Sequence, residues 1–122
     1  MPRKTSKKLG FQFTALPKHI TKSEAFLACK PQAKLIWFML LELYNGENNG
    51  DISLSVRQAG SYVGCSANSA GTHINQLIDV GLIERTMKSG FTCGKRLAST
   101  YRLTHLPAPG KPACDRWKKF KS

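Results

Sequence analysis

The chain has 122 residues, 41% of them hydrophobic, enough for one modest core and too few for a second domain. Its 19 Lys and Arg outnumber 7 Asp and Glu, and the resulting formal charge of +12 implies a polyanionic partner, either nucleic acid or an anionic membrane surface. The longest apolar run, residues 35–41, is too short to cross a bilayer core of about 30 Å. The cysteines lack a CxxC pair or zinc-like spacing to a histidine, and no secretory leader is recognisable. We therefore expect a soluble, cytoplasmic protein with free thiols, no metal and no cofactor.

Residues 1–10 form a basic arm. Arg3, Lys4, Lys7 and Lys8 come without an acidic neighbour or apolar periodicity, so the arm either follows a phosphate backbone or is a solubilising terminus. The domain is expected over 11–106, opening with Phe11, Phe13, Leu16 and Ile20 as packing residues and with Ser23 capping a short helix through Cys29. Pro31 suits a first helical turn, and 32–44 holds strong helix formers until Asn45 and Gly46 end the pattern. This helix is apolar nearly all round. Leu35, Ile36, Met39, Leu40 and Leu43 make the stripe expected to face the core; Trp37, Leu41 and Tyr44 make a second. Either the chain covers the second stripe itself, with Phe26, Leu27, Trp117 and Phe120 available, or the protein is a homodimer through Trp37, Leu41 and Tyr44. The segment 45–51, NGENNGD, is a turn-rich loop too poor in carboxylates for an EF-hand, and a short strand, Ile52–Leu54, follows it.

The stretch 54–83 reads as two helices joined by a tight turn. Ser55 caps the first, whose inner face is Val56, Ala59 and Val63, with Gly60 leaving room for a close neighbour and Gly64 ending it. Ser66 caps the second, which carries Ala70, Ile74, Leu77 and Ile78 inward until Gly81 stops it. At 3.6 residues per turn the opposite face shows Asn68, Thr72, Asn75, Gln76 and Asp79. Asn and Gln are sized to pair with adenine edges in a major groove, and Thr to meet a polar edge or a thymine methyl. Asn68, Ser69, Thr72, Asn75 and Gln76 are therefore the expected base-reading residues of a helix-turn-helix.

This succession resembles the winged-helix families of bacterial transcription regulators. There a small residue in the second helix precedes a glycine by four positions, as Gly60 precedes Gly64. A serine, two apolar residues at four-residue steps and a leucine follow, as Ser66, Ala70, Ile74 and Leu77 do here. A glycine and two apolar residues close the unit, as Gly81, Leu82 and Ile83 do. The resemblance implies a mainly α fold with a small antiparallel β-hairpin wing: a strand over 83–87, a basic hairpin over 88–96, a returning strand over 99–103, and Ile52–Leu54 paired with the wing. It departs from many such regulators in having no Arg or Lys between Ser66 and Val80, so the contacted site is expected to lean towards A·T pairs.

Within the wing, Gly90 and Gly94 supply bends, and Lys88, Lys95 and Arg96 supply charge for phosphates. GFTCGKR spaces its glycines too closely for a nucleotide-cradling loop. Ser55, Arg57, Ser66 and His73, with Arg3, Lys4, Lys7, Lys8, Lys118 and Lys119, complete the expected backbone contacts. Tyr101, Leu103 and Leu106 alternate as a last strand should. Residues 107–122 are a tail, Pro-rich and then basic and aromatic, whose Trp117 and Phe120 are expected to anchor on the domain ahead of stacking on bases.

No paired carboxylates, nucleophile elbow or oxyanion motif supports catalysis, and no small-molecule ligand is evident. The expected function is sequence-specific binding of double-stranded DNA by a transcriptional regulator of a bacterium, phage or mobile element. The alternatives are a plasmid or phage replication or partition initiator, and a protein-interaction winged-helix module that recruits a nucleoprotein partner.

Overall fold

The computed structural model describes residues 13–120 except 88–89 and 93–94, with 90–92 and 95–97 described as backbone. Two four-residue helices, α1 (Lys18–Thr21) and α2 (Glu24–Leu27), lead into α3 (Pro31–Leu43). The Ser23 hydroxyl accepts the Phe26 N–H at 3.2 Å and caps α2, and Pro31 opens α3 at a position where its missing N–H costs nothing. The chain then forms β1 (Ile52–Leu54), α4 (Val56–Val63), α5 (Ala67–Asp79), β2 (Ile83–Met87), β3 (Gly90–Thr92), β4 (Lys95–Leu97) and β5 (Ser99–Leu103), and ends in a 3-10 turn, Arg116–Lys119.

The three-stranded antiparallel sheet runs β1–β5–β2, with β5 central: Ile52 pairs with Tyr101 and Ile83 with Leu103. The register between β2 and β5 shifts at Arg85/Met87. Beyond that bulge β3 and β4 pair separately as a two-stranded hairpin, Phe91 opposite Arg96. The fold is α+β, and the helices share one core with the sheet. Ile36, Trp37 and Leu40 of α3, Ala59 of α4, and Ala70, Ile74 and Leu77 of α5 meet Ile52, Leu54, Ile83, Tyr101 and Leu103. No described helix is long and apolar enough to cross a membrane.

Helix α3 is rolled relative to the expectation. Its buried residues are Ala33, Ile36, Trp37, Leu40 and Leu41, whereas Leu35 and Leu43 are 41% and 40% exposed. Trp37, the largest side chain on the helix, is fully buried, with its ring centroid 5.3 Å from Phe26 and 5.8 Å from His105. The homodimer through Trp37, Leu41 and Tyr44 is thereby corrected: Trp37 and Leu41 lie inside the chain's own core and Tyr44 packs half-buried against it. The roll leaves Leu35 and Leu43 at the surface and places Trp37 and Leu41 in the core, where the indole packs among the Phe26, Phe38 and His105 rings. Phe13 and Leu16 are also exposed, leaving Ile20 as the buried member of that expected group, and Phe11 lies outside the described residues. Val56, expected on the inner face of α4, is 41% exposed, and a Cβ added at Gly71 of α5 would meet its Cγ1 at 3.7 Å.

The loop before β1 is held by Asn49. Its Oδ1 accepts the Leu103 N–H at 2.7 Å, and its Nδ2 donates to the carbonyls of Leu103, Leu106 and Pro107. Residues past 106 fold back on the domain as a strap. The Thr104 carbonyl accepts from Cys114 and Asp115, Arg102 donates to the Pro112 carbonyl, Arg102 and Arg116 flank Glu84 at 3.5 and 3.7 Å, and Trp117 is buried. Gly81 accepts this close approach: its φ is +89°, and a Cβ there would lie 2.8 Å from the Arg116 carbonyl carbon. Trp117 thus anchors the tail, as its sequence context suggested, and Phe120 packs partly buried against the core.

Candidate nucleic-acid interface

The α4–α5 unit is built from local signals. Ser55 accepts the Gln58 N–H at 3.0 Å while the Gln58 amide oxygen accepts the Ser55 N–H at 3.0 Å, a closed capping box. At the other end Gly64 takes φ +79°, and the Gly60 carbonyl accepts from both Gly64 and Cys65. Gly60 is required for a second reason: a Cβ there would sit 2.6 Å from the Cys65 carbonyl oxygen, so the turn folds directly onto the α4 backbone. Ser66 then caps α5, accepting the Ser69 N–H at 3.1 Å.

With Ala70, Ile74 and Leu77 buried, α5 turns Asn68, Ser69, Thr72, Asn75 and Asp79 to solvent. Four of the five expected base readers, Asn68, Ser69, Thr72 and Asn75, therefore lie together on one exposed strip. Thr72 donates back to the Asn68 carbonyl at 3.2 Å, and the Ser69 hydroxyl meets that of Ser66 at 3.1 Å. The carbonyl bond holds the Thr72 hydroxyl against its own helix. Gln76 is placed differently. Its Oε1 accepts the Lys30 N–H at 3.0 Å and its Nε2 donates to the Ala28 carbonyl at 3.4 Å, so its amide is spent on the turn before α3. Gln76 directly precedes the buried Leu77, on the flank of α5 that meets the α2–α3 turn.

Of the expected backbone contacts, Arg57 is exposed at the start of α4, Ser66 is exposed, Ser55 is half-buried in its capping box, and His73 is half-buried on the α5 flank. Lys118 and Lys119 are exposed on the strap; Lys118 lies 3.8 Å from Asp115 and over the Trp117 ring. Arg3, Lys4, Lys7, Lys8 and the side chains of Lys88, Lys95 and Arg96 lie outside what the structure describes. Arg102 is a buried charge that clasps Glu84, and Arg85 is half-buried with its guanidinium 5.7 Å from the Tyr101 ring centroid.

Lys30 is the residue that sequence reasoning missed. It shares a shallow hollow with Thr72, His73, Asn75, Gln76 and Asp79, although it belongs to a segment read only as the approach to α3. Nothing in its own neighbourhood signals this; the Gln76 clasp, 46 residues away, is what brings it there. Among the described residues no group of His, Cys, Asp and Glu is placed to hold a metal ion, and Cys29, Cys65 and Cys114 are free thiols. Burial raises the Cys29 thiol to about 11, against a smaller opposing pull from Lys34. Compared with protein-family models, with curated proteins and with solved structures, the chain matches none.

Proposed function

We propose that the chain is a winged helix-turn-helix protein that binds double-stranded DNA sequence-specifically and regulates transcription in a bacterium, phage or mobile element. The observation that carries this reading is the exposed strip Asn68, Ser69, Thr72 and Asn75, presented on a helix locked to its predecessor by a glycine turn, in a chain of formal charge +12. These side chains match the donor and acceptor pattern of A·T base edges in a major groove. In this reading α5 enters the groove by its N-terminal turns, the β3–β4 hairpin is the wing that follows the neighbouring backbone, and Arg57 and His73 meet flanking phosphates. The recruitment reading loses the surface it was assigned, because Trp37 and Leu41 are interior.

The test is selection of bound duplexes from a random library. An enriched motif leaning towards A·T, bound with a strong salt dependence, is the expected result; failure to retain any duplex at low salt excludes the reading.

A further inference from the structure

Gln76 joins α5 to α3 through backbone that lies far away in sequence. A side-chain amide that accepts from Lys30 and donates to Ala28 fixes both the distance and the orientation of the turn between α2 and α3. That turn carries Lys30, which is exposed and, among the described residues, has no ion-pair partner. Lys30 and His73 supply cationic or N–H donors to the hollow on the α5 flank, Asn75 adds an amide, and Thr72 and Gln76 complete the wall with hydrogen bonds already made internally. Asp79 supplies the one carboxylate of that lining.

We propose that this hollow seats one backbone phosphate of a DNA duplex, held by Lys30 and His73, and that Gln76 is the positioning residue that brings Lys30 to it. The proposal rests on the reading of α5 as the duplex-facing helix, and it adds to that helix a contact from outside the α4–α5 unit. A phosphate held beside Thr72 and Asn75 fixes the roll of α5 in the groove without reading a base. Asp79 opposes the anion, so its neutralisation and that of Lys30 have effects of opposite sign.

The experiment measures affinity against salt for wild type, Lys30→Gln, Gln76→Ala and Asp79→Asn, on a duplex selected with the wild type and on a random duplex. Lys30→Gln should flatten the slope of log affinity against log salt by about 0.9, one phosphate's share, on both duplexes. Gln76→Ala should flatten it in the same direction although it removes no charge, and Asp79→Asn should tighten binding to both duplexes. Lys30 is exposed, so its variant is expected to melt with the wild type and to decide the matter even if Gln76→Ala is destabilised. A steep wild-type slope left unchanged by Lys30→Gln overturns the phosphate seat. A Gln76→Ala variant that keeps the slope but loses preference at one base pair makes Gln76 a reader and overturns its positioning role. A wild type with no salt-dependent duplex binding overturns the functional reading, and the seat with it.

Discussion

Helices α3 and α5 are equal in length, 13 residues each, and opposite in use. α3 buries five side chains, including a fully enclosed Trp37, and the apolar residues it leaves outside, Leu35 and Leu43, are what remains when a helix apolar all round has only one core to enter. α5 buries three, Ala70, Ile74 and Leu77, and keeps a polar strip facing out. One helix is committed to the core; the other divides its surface between the core and solvent. The cost of a substitution therefore depends on which helix carries it, and on which face.

The largest effect is expected on α3. Trp37→Ala should destabilise by about 3 to 5 kcal/mol in chemical denaturation, because it empties a site lined by Phe26, Phe38 and His105. Leu35→Ala, two positions away, should cost less than about 1 kcal/mol, since that side chain is already 41% exposed. Equal losses for the two variants would mean that α3 is rolled otherwise and that the contrast with α5 is wrong.

On α5 the inward residues come next. Ile74→Ala or Leu77→Ala should each cost about 2 to 5 kcal/mol, a large share of what holds a small domain together. Both side chains are essentially solvent-free in the core, so variants that melt with the wild type would overturn the division of this helix into two faces.

Much of α5 is legible in the sequence, and the reason is visible in the residues. Its polar and apolar positions separate cleanly at helical spacing, and Ser55, Gly60, Gly64, Ser66 and Gly81 each mark a cap, a close approach or a left-handed turn that the backbone then adopts. The inward side of α3 was not legible. Its sequence offers two apolar stripes of similar weight, and the buried face takes Ile36 and Leu40 from one and Trp37 and Leu41 from the other, in contact with Phe26 and His105, which come from elsewhere in the chain. The same cause explains Gln76 and Lys30. Side-chain period places Gln76 near the outer face, but its amide partners are set by tertiary packing. The strap shows the intermediate case: an aromatic anchor was legible in Trp117, while its seat against Gly81 was not.

Acid should sharpen the contrast from the α3 side. His105, packed on Trp37, is held down to about 4, from an ordinary 6.5, first by burial and then by His19, with Asp115 opposing weakly. Below pH 6.5 the unfolded chain takes up a proton that the folded chain refuses, so this contribution is fully present above 6.5, is lost as the pH falls towards 4, and then levels off. About 2 kcal/mol should disappear across that window, less than the whole shift implies because the ring keeps some solvent contact. Urea denaturation at a series of pH values, compared between wild type and His105→Gln, isolates this from the carboxylates. Parallel curves for the two proteins would exclude His105 as the cause.

The smallest effect on stability, and the most informative, is expected on the outer strip of α5. Asn68→Ala and Asn75→Ala alter exposed side chains outside the core, so unfolding should shift by no more than about 0.5 kcal/mol. If the strip reads bases, each change should instead remove about 1 to 3 kcal/mol of discrimination at one or two positions of the selected site, while affinity for random duplex and the salt slope stay nearly unchanged. Lys95→Ala with Arg96→Ala should do the reverse, weakening every duplex alike, because phosphate contacts carry no sequence information. Measuring each variant on selected and random duplexes separates the two kinds of contact. A change in the preferred sequence from the Lys95 and Arg96 pair, with none from Asn68 or Asn75, would transfer base reading from the helix to the hairpin. The free face of α5 would then be a solvated helix surface, and its difference from α3 would be one of exposure alone.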